Sequence, residues 1–249
     1  MKKIKLFMIV MALLPLSYCS QSKSTIVLHL AGDSTMANKP YTPSNPEKGW
    51  GQVLSLYVNE GLQIGNHAVN GRSTKSFRDE GRWQQILDVL NPGDYVLIQF
   101  GHNDQKEKSP ERYAEANTDY RENLIRFVEE VREKQGNPIL ATSIVRRKFE
   151  DGELKDTHGD YTKVVREVAS ELDVPLLDLE DRTREMVKTF GEERSKQLYL
   201  HYLPGEYERF QQGKEDNTHL SPTGAFKVCD LAVEELKKHV PGLEGYFKE

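Results

Sequence analysis

The chain has 249 residues, a formal net charge of -5 and a mean hydropathy of -0.66. The length suits one large α/β domain or two small ones, and the negative balance excludes a global attraction to nucleic acid. Because the chain holds only two cysteines, a cysteine-rich zinc site is excluded as well.

The first 18 residues have the layout of a signal peptide. Lys2, Lys3 and Lys5 precede an almost unbroken apolar run from Leu6 to Leu16, an arrangement typical of an export signal. The run is too short to span a bilayer as a helix, which needs about 20 residues. The alternative is a buried N-terminal helix, but positive charge before an isolated apolar run favours export. We therefore predict a protein that is periplasmic, secreted or anchored to the bacterial outer membrane.

Cys19 directly follows this apolar segment, and the stretch resembles the lipobox of bacterial lipoproteins. Tyr18 departs from that pattern, because a small residue is usual just before the lipidated cysteine. Two outcomes stay open: lipidation of Cys19 as the first mature residue, or simple cleavage and release. Contact with a membrane is expected only through such a lipid anchor. The second cysteine, Cys229, lies in an apolar helical stretch and is expected to be a buried core residue.

Beyond this segment, strand-like runs alternate with helical ones. Short apolar or β-branched runs predict strands, and longer runs with a helical spacing predict helices. We predict strands over 25–30, 62–69, 95–100, 138–143 and 174–177. They alternate with helices that we predict over 50–58, 83–90, 118–135, 161–172 and 221–239, the last of them capped by Ser221. The alternation predicts a single α/β domain over residues 24–249, with a three-layer α/β/α, flavodoxin-like architecture and a central parallel sheet of about five strands.

A serine follows the first predicted strand, in the motif Gly32-Asp33-Ser34. Open α/β sheets bind ligands beyond the carboxyl ends of their strands, so this hydroxyl is expected at a ligand-binding edge. Gly32 would allow a tight turn that leaves the hydroxyl accessible. The alternative is an ordinary turn or helix cap, because Asp and Ser are preferred in both.

Two further polar turns follow the next two strands that are predicted. Asn70-Gly71-Arg72-Ser73 follows the second strand, and Gly101-His102-Asn103-Asp104 follows the third. A glycine N–H and a side-chain amide at this edge can donate to an oxyanion. Each motif taken alone is equally typical of a turn or a helix cap. Three such turns at the ends of successive strands are harder to explain as ordinary turns or helix caps.

Asp216 and His219 precede the last predicted helix. Their spacing allows both side chains to reach one cleft, where the carboxylate could fix the tautomer of the imidazole. The alternative is a solvated aspartate and a capping histidine. His67, His102, Asp104 and His201 offer donor atoms for a metal, but they have no metal-binding spacing, so we predict no metal and no other cofactor.

The order of these motifs resembles the four blocks of SGNH (GDSL-like) hydrolases. The stretches FGHNDQ, ATSIVRRKF and DNTHLSPTGA are similar to the rhamnogalacturonan acetylesterase branch of that superfamily. The resemblance implies that Ser34 is the nucleophile, that His219 is the general base, and that Asp216 orients the histidine. It also implies an oxyanion hole made by the backbone N–H groups of Ser34 and Gly71 and by the amide of Asn103.

The resemblance implies a serine esterase that removes O-acetyl groups from a plant cell-wall polysaccharide, with rhamnogalacturonan in pectin as the first candidate. The alternatives are an esterase acting on other acetylated glycans such as xylan, or on lipids or thioesters, and a non-catalytic carbohydrate-binding surface protein. Arg72, Arg146 and Arg147 are candidates for binding the galacturonate carboxylates of the polymer. They could instead pair with nearby acids such as Glu80 and Glu150.

Overall fold

The computed structural model describes residues 25–248, and the predicted signal peptide and Cys19 lie outside them. Nine strands are present in this range: β1 (Ile26–Gly32), β2 (Leu62–Asn66), β3 (Tyr95–Gln99), β4 (Asn137–Ala141), β5 (Phe149–Glu150), β6 (Glu153–Leu154), β7 (Leu176–Leu177), β8 (Tyr199–Tyr202) and β9 (Lys214–Leu220). Eight α-helices accompany them: α1 (Trp50–Val53), α2 (Thr74–Asp79), α3 (Arg82–Val89), α4 (Arg121–Glu133), α5 (Asp160–Glu171), α6 (Leu179–Arg194), α7 (Pro222–His239) and α8 (Pro241–Glu244).

Five of the strands form one parallel sheet in the order β2-β1-β3-β4-β7. The chain passes from β1 to one neighbour, β2, and then returns to the other side of β1 with β3. Such a reversal of strand order leaves a crevice beyond the carboxyl ends of β1 and β3, where doubly wound sheets bind their ligands. The predicted flavodoxin-like sheet of five parallel strands is therefore confirmed.

Both faces of the sheet are covered by helices, because its strands are apolar on both sides. Along β3, Leu97 belongs to one hydrophobic cluster, whereas Val96 and Ile98 belong to the other. The first cluster packs against α1, α6 and α7, and the second against α2 to α5. The three layers thus follow from the period-two alternation of side chains along buried strands.

The five predicted strands are all present in the sheet, and the last predicted helix begins as expected. The Ser221 hydroxyl accepts a hydrogen bond from the N–H of Gly224 at 3.0 Å, and Pro222 occupies the first turn. The helix predicted over 118–135 instead begins with a π-helical turn over Ala116–Tyr120, where Glu115 caps two backbone N–H groups. Within residues 25–248, no helix is both long and apolar enough to cross a membrane.

Several segments of regular structure were not predicted, among them helices α2, α6 and α8 and the two antiparallel hairpins β5–β6 and β8–β9. Their residues are mostly polar, and β9 reads Lys-Glu-Asp-Asn-Thr-His-Leu. A hydrophobic periodicity cannot reveal such elements, because they bury little apolar surface. The second hairpin contains Asp216 and His219, the pair that the sequence predicts to be catalytic.

Candidate active site

Ser34 lies in the turn that follows β1, at the carboxyl edge of the sheet. The carboxylate of Asp33 organises this turn: its Oδ1 accepts hydrogen bonds from the backbone N–H and from the hydroxyl of Thr35, both at 2.9 Å. Gly32 is required for space rather than for an unusual backbone angle. A Cβ atom there would lie 2.9 Å from the sulfur of Met36 and 3.0 Å from the carbonyl oxygen of Gln99.

Asp216 and His219 are held by an irregular stretch of β9. In the pairing of β8 with β9, Leu200 lies opposite Asp216 while the preceding Tyr199 lies opposite Leu220, so residues 217–219 bulge out of the ladder. Within the bulge, Asp216 Oδ1 accepts from the N–H groups of Thr218 and His219, each at 2.9 Å. This closed turn brings the side chains of Asp216 and His219 to the same side of the hairpin.

The three side chains form a continuous line of hydrogen bonds. His219 Nδ1 lies 2.9 Å from Asp216 Oδ2, and His219 Nε2 lies 3.0 Å from the hydroxyl oxygen of Ser34. Because an ionised carboxylate can only accept, Nδ1 carries the ring proton and Nε2 is left to accept from the serine. This is the arrangement in which an imidazole can remove the proton of a serine hydroxyl.

The carboxyl group of Asp216 is kept ionised by its donors. Burial alone would raise its pKa, but the hydrogen bonds from the His219 ring and from two backbone N–H groups hold the pKa well below its usual range. Lys214 adds a positive charge, with its Nζ 3.4 Å from Oδ2. A permanent negative charge therefore faces Nδ1 of His219, and it would stabilise the imidazolium that forms during catalysis.

Three residues with N–H donors line one cleft: Ser34, Gly71 and Asn103. Within residues 25–248, the backbone N–H groups of Ser34 and Gly71 donate to no other protein group. Asn103 Nδ2 donates to the carbonyl of Arg72 at 3.0 Å, which leaves its second hydrogen available. Gly71 has a φ of +76°, which disfavours any residue with a side chain. Donors without a protein partner in a cleft are what an oxyanion requires.

A cleft of about 340 Å³ contains these groups. Its walls include Ser34, Asn70, Gly71, Asn103, Asp216 and His219, together with residues that the sequence analysis did not single out: Glu47, Lys106, Leu200, Arg209, Phe210 and Lys214. The additional residues come from loops and from the β8–β9 hairpin, whose approach to the sheet edge leaves no local signal in the sequence. The lining is predominantly polar, with Leu200 and Phe210 as its apolar members.

Buried contacts behind the cleft hold the turns of Gly71 and Asn103 in place. Asp104, next to Asn103, accepts from the N–H and the hydroxyl of Thr74 at 2.8 and 2.6 Å. Burial raises the pKa of Asp104 to about 7 in spite of these donors. On the other side, the ammonium of Lys39 donates to Asn70 Oδ1 at 2.5 Å. The turn that contains Gly71 is thus tied at both of its ends.

A second Asp–His pair lies beneath the first. Asp33 Oδ2 is 3.2 Å from His102 Nδ1, and both side chains are almost inaccessible to water. Burial lowers the pKa of His102, although the carboxylate of Asp33 acts in the opposite direction, and Nδ1 donates to that carboxylate because an ionised carboxylate can only accept. Burial would raise the pKa of Asp33, but His102 and Thr35 lower it overall. The contact between Asp33 and His102 links the turn that contains Ser34 to the turn that contains Asn103.

The three arginines predicted to bind substrate do not line the catalytic cleft. Arg72 pairs with Glu80 at 3.0 Å. Arg146 donates to the carbonyl groups of Thr157 and His102. Arg147 is buried, and it donates to Glu192, Ser195 and Asn217. Their role in binding substrate stays a prediction, and Arg72 has adopted the alternative of pairing with a nearby acid.

The histidines outside the line from Ser34 to Asp216 contact single histidines or other polar side chains. His67 contacts His29 at 3.0 Å, His102 contacts Asp33, and His201 lies 2.8 Å from Asn217 Oδ1. Among residues 25–248, no group of three or more His, Cys, Asp or Glu side chains is arranged to hold a metal ion.

Comparison with known sequences places the chain among esterases. A model of the GDSL-like lipase/acylhydrolase family matches residues 30–225. The chain is 40% identical over 231 residues to rhamnogalacturonan acetylesterase RhgT of Bacillus subtilis (strain 168), which covers 90% of this chain and 97% of that relative. It is 35% identical over 223 residues to the probable rhamnogalacturonan acetylesterase YesY of the same organism, with 89% and 98% covered.

Solved structures share the fold. The YxiM protein of Bacillus subtilis aligns with a TM-score of 0.75 at 27% identity, over 90% of this chain and 58% of that longer one. The acetylxylan esterase Axe2 of Geobacillus stearothermophilus aligns with a TM-score of 0.62 at 19% identity, over 86% and 94%. The second likeness bears on the fold alone. From the family match and from relatives covered almost end to end, the chain belongs to the GDSL-like lipase/acylhydrolase family and is a carboxylic ester hydrolase.

Proposed function

We propose that the protein is a serine esterase that removes O-acetyl groups from rhamnogalacturonan. The observation that carries this proposal is the line from Ser34 through His219 to Asp216, with distances of 3.0 and 2.9 Å, at the edge of a polar cleft. The substrate is inferred from the curated relatives that are 40% and 35% identical and are described as known or probable rhamnogalacturonan acetylesterases.

The reaction proceeds in two halves. His219 Nε2 takes the proton of Ser34 as the serine oxygen attacks the acetyl carbonyl carbon. The tetrahedral oxyanion accepts hydrogen bonds from the N–H groups of Ser34 and Gly71 and from Asn103 Nδ2. When the C–O bond to the sugar breaks, His219 returns the proton to the departing sugar oxygen, and an acetyl-serine remains. Water then attacks the carbonyl carbon of the acetyl-serine, with His219 as base. The bond to the serine oxygen breaks, His219 returns the proton to that oxygen, and acetate is released.

The character of the cleft supports a small acyl group on a polar alcohol. Leu200 and Phe210 are the apolar side chains of its lining, which is too little apolar surface for a long acyl chain. An acetyl group needs no such pocket, and a carbohydrate can hydrogen-bond to polar walls. Hydrolysis of lipids is therefore the weaker candidate.

We further propose that the protein acts outside the cytoplasm. The argument is the charged and then apolar start of the chain, together with a relative, 29% identical over 168 residues, that is described as an uncharacterized lipoprotein. The choice between a lipid anchor at Cys19 and release after cleavage is tested by mass spectrometry of the mature N-terminus.

The experiment that tests the proposed function measures acetate released from several acetylated polysaccharides. Wild-type protein and the Ser34→Ala variant are incubated with acetylated rhamnogalacturonan, acetylated xylan and a neutral small ester. We expect the wild type to release acetate fastest from rhamnogalacturonan, and the variant to release almost none from any substrate. Faster release from xylan would contradict the assigned substrate, and equal rates for both proteins would contradict the assigned nucleophile.

A further inference from the structure

Three cationic side chains, from Lys106, Arg209 and Lys214, line the catalytic cleft, although the chain as a whole is acidic. The carboxylates in the same lining are Glu47 and Asp216. Both carboxylates already have other partners: Glu47 pairs with Lys39, and Asp216 accepts from His219.

Lys106 is an exposed cation beside Asn103. Its Nζ donates to Asn103 Oδ1 at 2.7 Å, and within residues 25–248 no carboxylate lies within ion-pair distance of it. Burial lowers the pKa of Lys106, and the charges of Arg112 and Arg146 act in the same direction. An ammonium without an acid partner can form a charge-assisted hydrogen bond with an anion that enters with the substrate.

Arg209 also carries charge that its protein partners do not balance. Its guanidinium lies 3.4 Å from Glu47 Oε2, and it remains 46% exposed. The other oxygen of Glu47 is 2.6 Å from the buried ammonium of Lys39. One carboxylate thus faces two cations, and the more accessible of the two is Arg209.

Lys214 has a similarly shared partner. Its Nζ lies 3.4 Å from Asp216 Oδ2, the oxygen that also accepts from His219 at 2.9 Å. The side chain of Lys214 is 37% exposed, so it can turn toward a ligand in the cleft. Beneath the cleft, Asp33 is fully buried and is engaged by His102 and Thr35.

We infer that Lys106, Arg209 and Lys214 form a binding subsite for the carboxylate groups of uronic acid residues next to the acetylated sugar. This inference rests on the proposed function and specifies how that substrate is recognised. An arginine can pair with a carboxylate through two N–H groups, and the two lysines add point charges. A neutral glycan such as an unsubstituted xylan chain offers these three cations no carboxylate, so it lacks the charge-assisted contacts that would favour an acidic polymer.

The test measures inhibition by matched oligosaccharides, so that it does not depend on deacetylation of any polymer. Hydrolysis of a neutral small acetyl ester is followed in the presence of trigalacturonate or of the corresponding neutral galactose trimer. For the wild type we expect the inhibition constant of the acidic trimer to be about tenfold lower than that of the neutral trimer, which is the size of one charge-assisted contact. The difference should shrink as salt is added, because these charges are partly exposed.

Lys106→Met and Arg209→Gln should each remove most of this preference for the acidic trimer. Lys238→Met is the matched control, because this exposed lysine lies in the last turn of α7, about 24 Å along the helix from its start near the site, and it should retain the preference. Arg209→Gln alters an exposed side chain, so it keeps the test decisive if Lys106→Met does not fold.

Equal inhibition of the wild type by the two trimers would overturn the inference, and so would a full preference in both cleft variants. Failure of the proposed function has a different signature: hydrolysis of the small ester without release of acetate from rhamnogalacturonan. Inhibition by trigalacturonate can be observed in either case, so the two failures are distinguishable.

Discussion

Two Asp–His pairs lie within one edge of the sheet, and they differ in what surrounds them. The pair Asp216–His219 has a separation of 2.9 Å and a histidine that is 32% exposed, whereas Asp33–His102 has a separation of 3.2 Å and is almost completely buried. The second ring nitrogen of His219 reaches Ser34, but that of His102 has no hydrogen-bond partner among the described residues. The same two chemical groups therefore face a serine hydroxyl in a cleft in one place and join two buried turns in the other.

The comparison teaches that an Asp–His contact does not by itself indicate catalysis. A general base needs a substrate proton within reach and space for a reacting group. His219 has both, since it borders the cleft. His102 instead faces the ring edge of His158, with 4.7 Å between ring centroids. The following predictions separate the two roles, from the largest expected effect to the smallest.

The largest effect is expected for the exposed pair. Ser34→Ala and His219→Ala should each lower kcat by about 10⁵- to 10⁶-fold. Without His219 no base removes the proton of the serine, and without Ser34 no nucleophile is present for the base to activate. The double variant should be little worse than either single one. Turnover of a small acetyl ester measures this, with circular dichroism as the control for folding. Independent multiplication of the two losses would rule out a shared proton-transfer unit.

The next effect concerns Asn103, the neighbour of His102 in the same turn. Asn103→Ala should lower kcat by about 10²- to 10³-fold, since one donor to the oxyanion is removed. Its KM should change far less, because the oxyanion exists only along the reaction path. Steady-state kinetics on a small ester distinguish the two constants. An effect confined to KM would make Asn103 a residue that binds substrate in its ground state.

The buried pair should affect stability more than chemistry. His102→Leu leaves the carboxylate of Asp33 buried with one donor fewer, and we expect the free energy of unfolding to fall by about 2–4 kcal/mol. The loss in kcat should be far smaller than that of His219→Ala. Urea unfolding together with turnover at low temperature measures both quantities.

The matched control for the buried pair is the double variant Asp33→Asn with His102→Leu, which removes the buried charge and should recover part of the stability. A His102→Leu variant that unfolds like the wild type but has no turnover would instead assign His102 to the reaction.

The smallest effect concerns the contact between His67 and His29, in which both partners are imidazole rings. His67 lies 3.0 Å from the ring of His29, and burial, assisted by the charge of His29, lowers the pKa of His67 from 6.5 to about 4. The unfolded chain therefore binds a proton at this position before the folded chain does. Its contribution to stability is complete above pH 6.5 and is lost as the pH falls toward 4.

His67→Gln should accordingly make the free energy of unfolding less dependent on pH between about 6.5 and 4. Urea unfolding at several pH values measures the slope. His239→Gln, at an exposed position in the last turn of α7, is the control. An unchanged slope in the His67 variant would show that its ring is protonated equally in both states.

Some of the fold and site could be predicted because the signals are local. The run Tyr95–Gln99 is apolar at every position but its last, and such a run is buried on both faces wherever it pairs. Three of the predicted site residues closely follow strands of the sheet: Ser34, Gly71 and Asn103. They therefore lie near its carboxyl edge whatever conformation the loops adopt. The prediction of a single domain over 24–249 stays a prediction, and the predicted signal peptide lies outside the described residues.

The sequence by itself determined the order of strands and helices, the parallel sheet, and the motifs whose residues meet at its carboxyl edge. Only the tertiary structure decided that Asp216 and His219 sit in a bulged hairpin, that Arg72, Arg146 and Arg147 bond to the protein itself, and that other cations line the cleft. The physical reason is the range of the interactions. Burial of apolar side chains is recorded in the local periodicity of the chain, whereas the partner of a charged side chain depends on which distant segment the fold brings within a few ångströms of it.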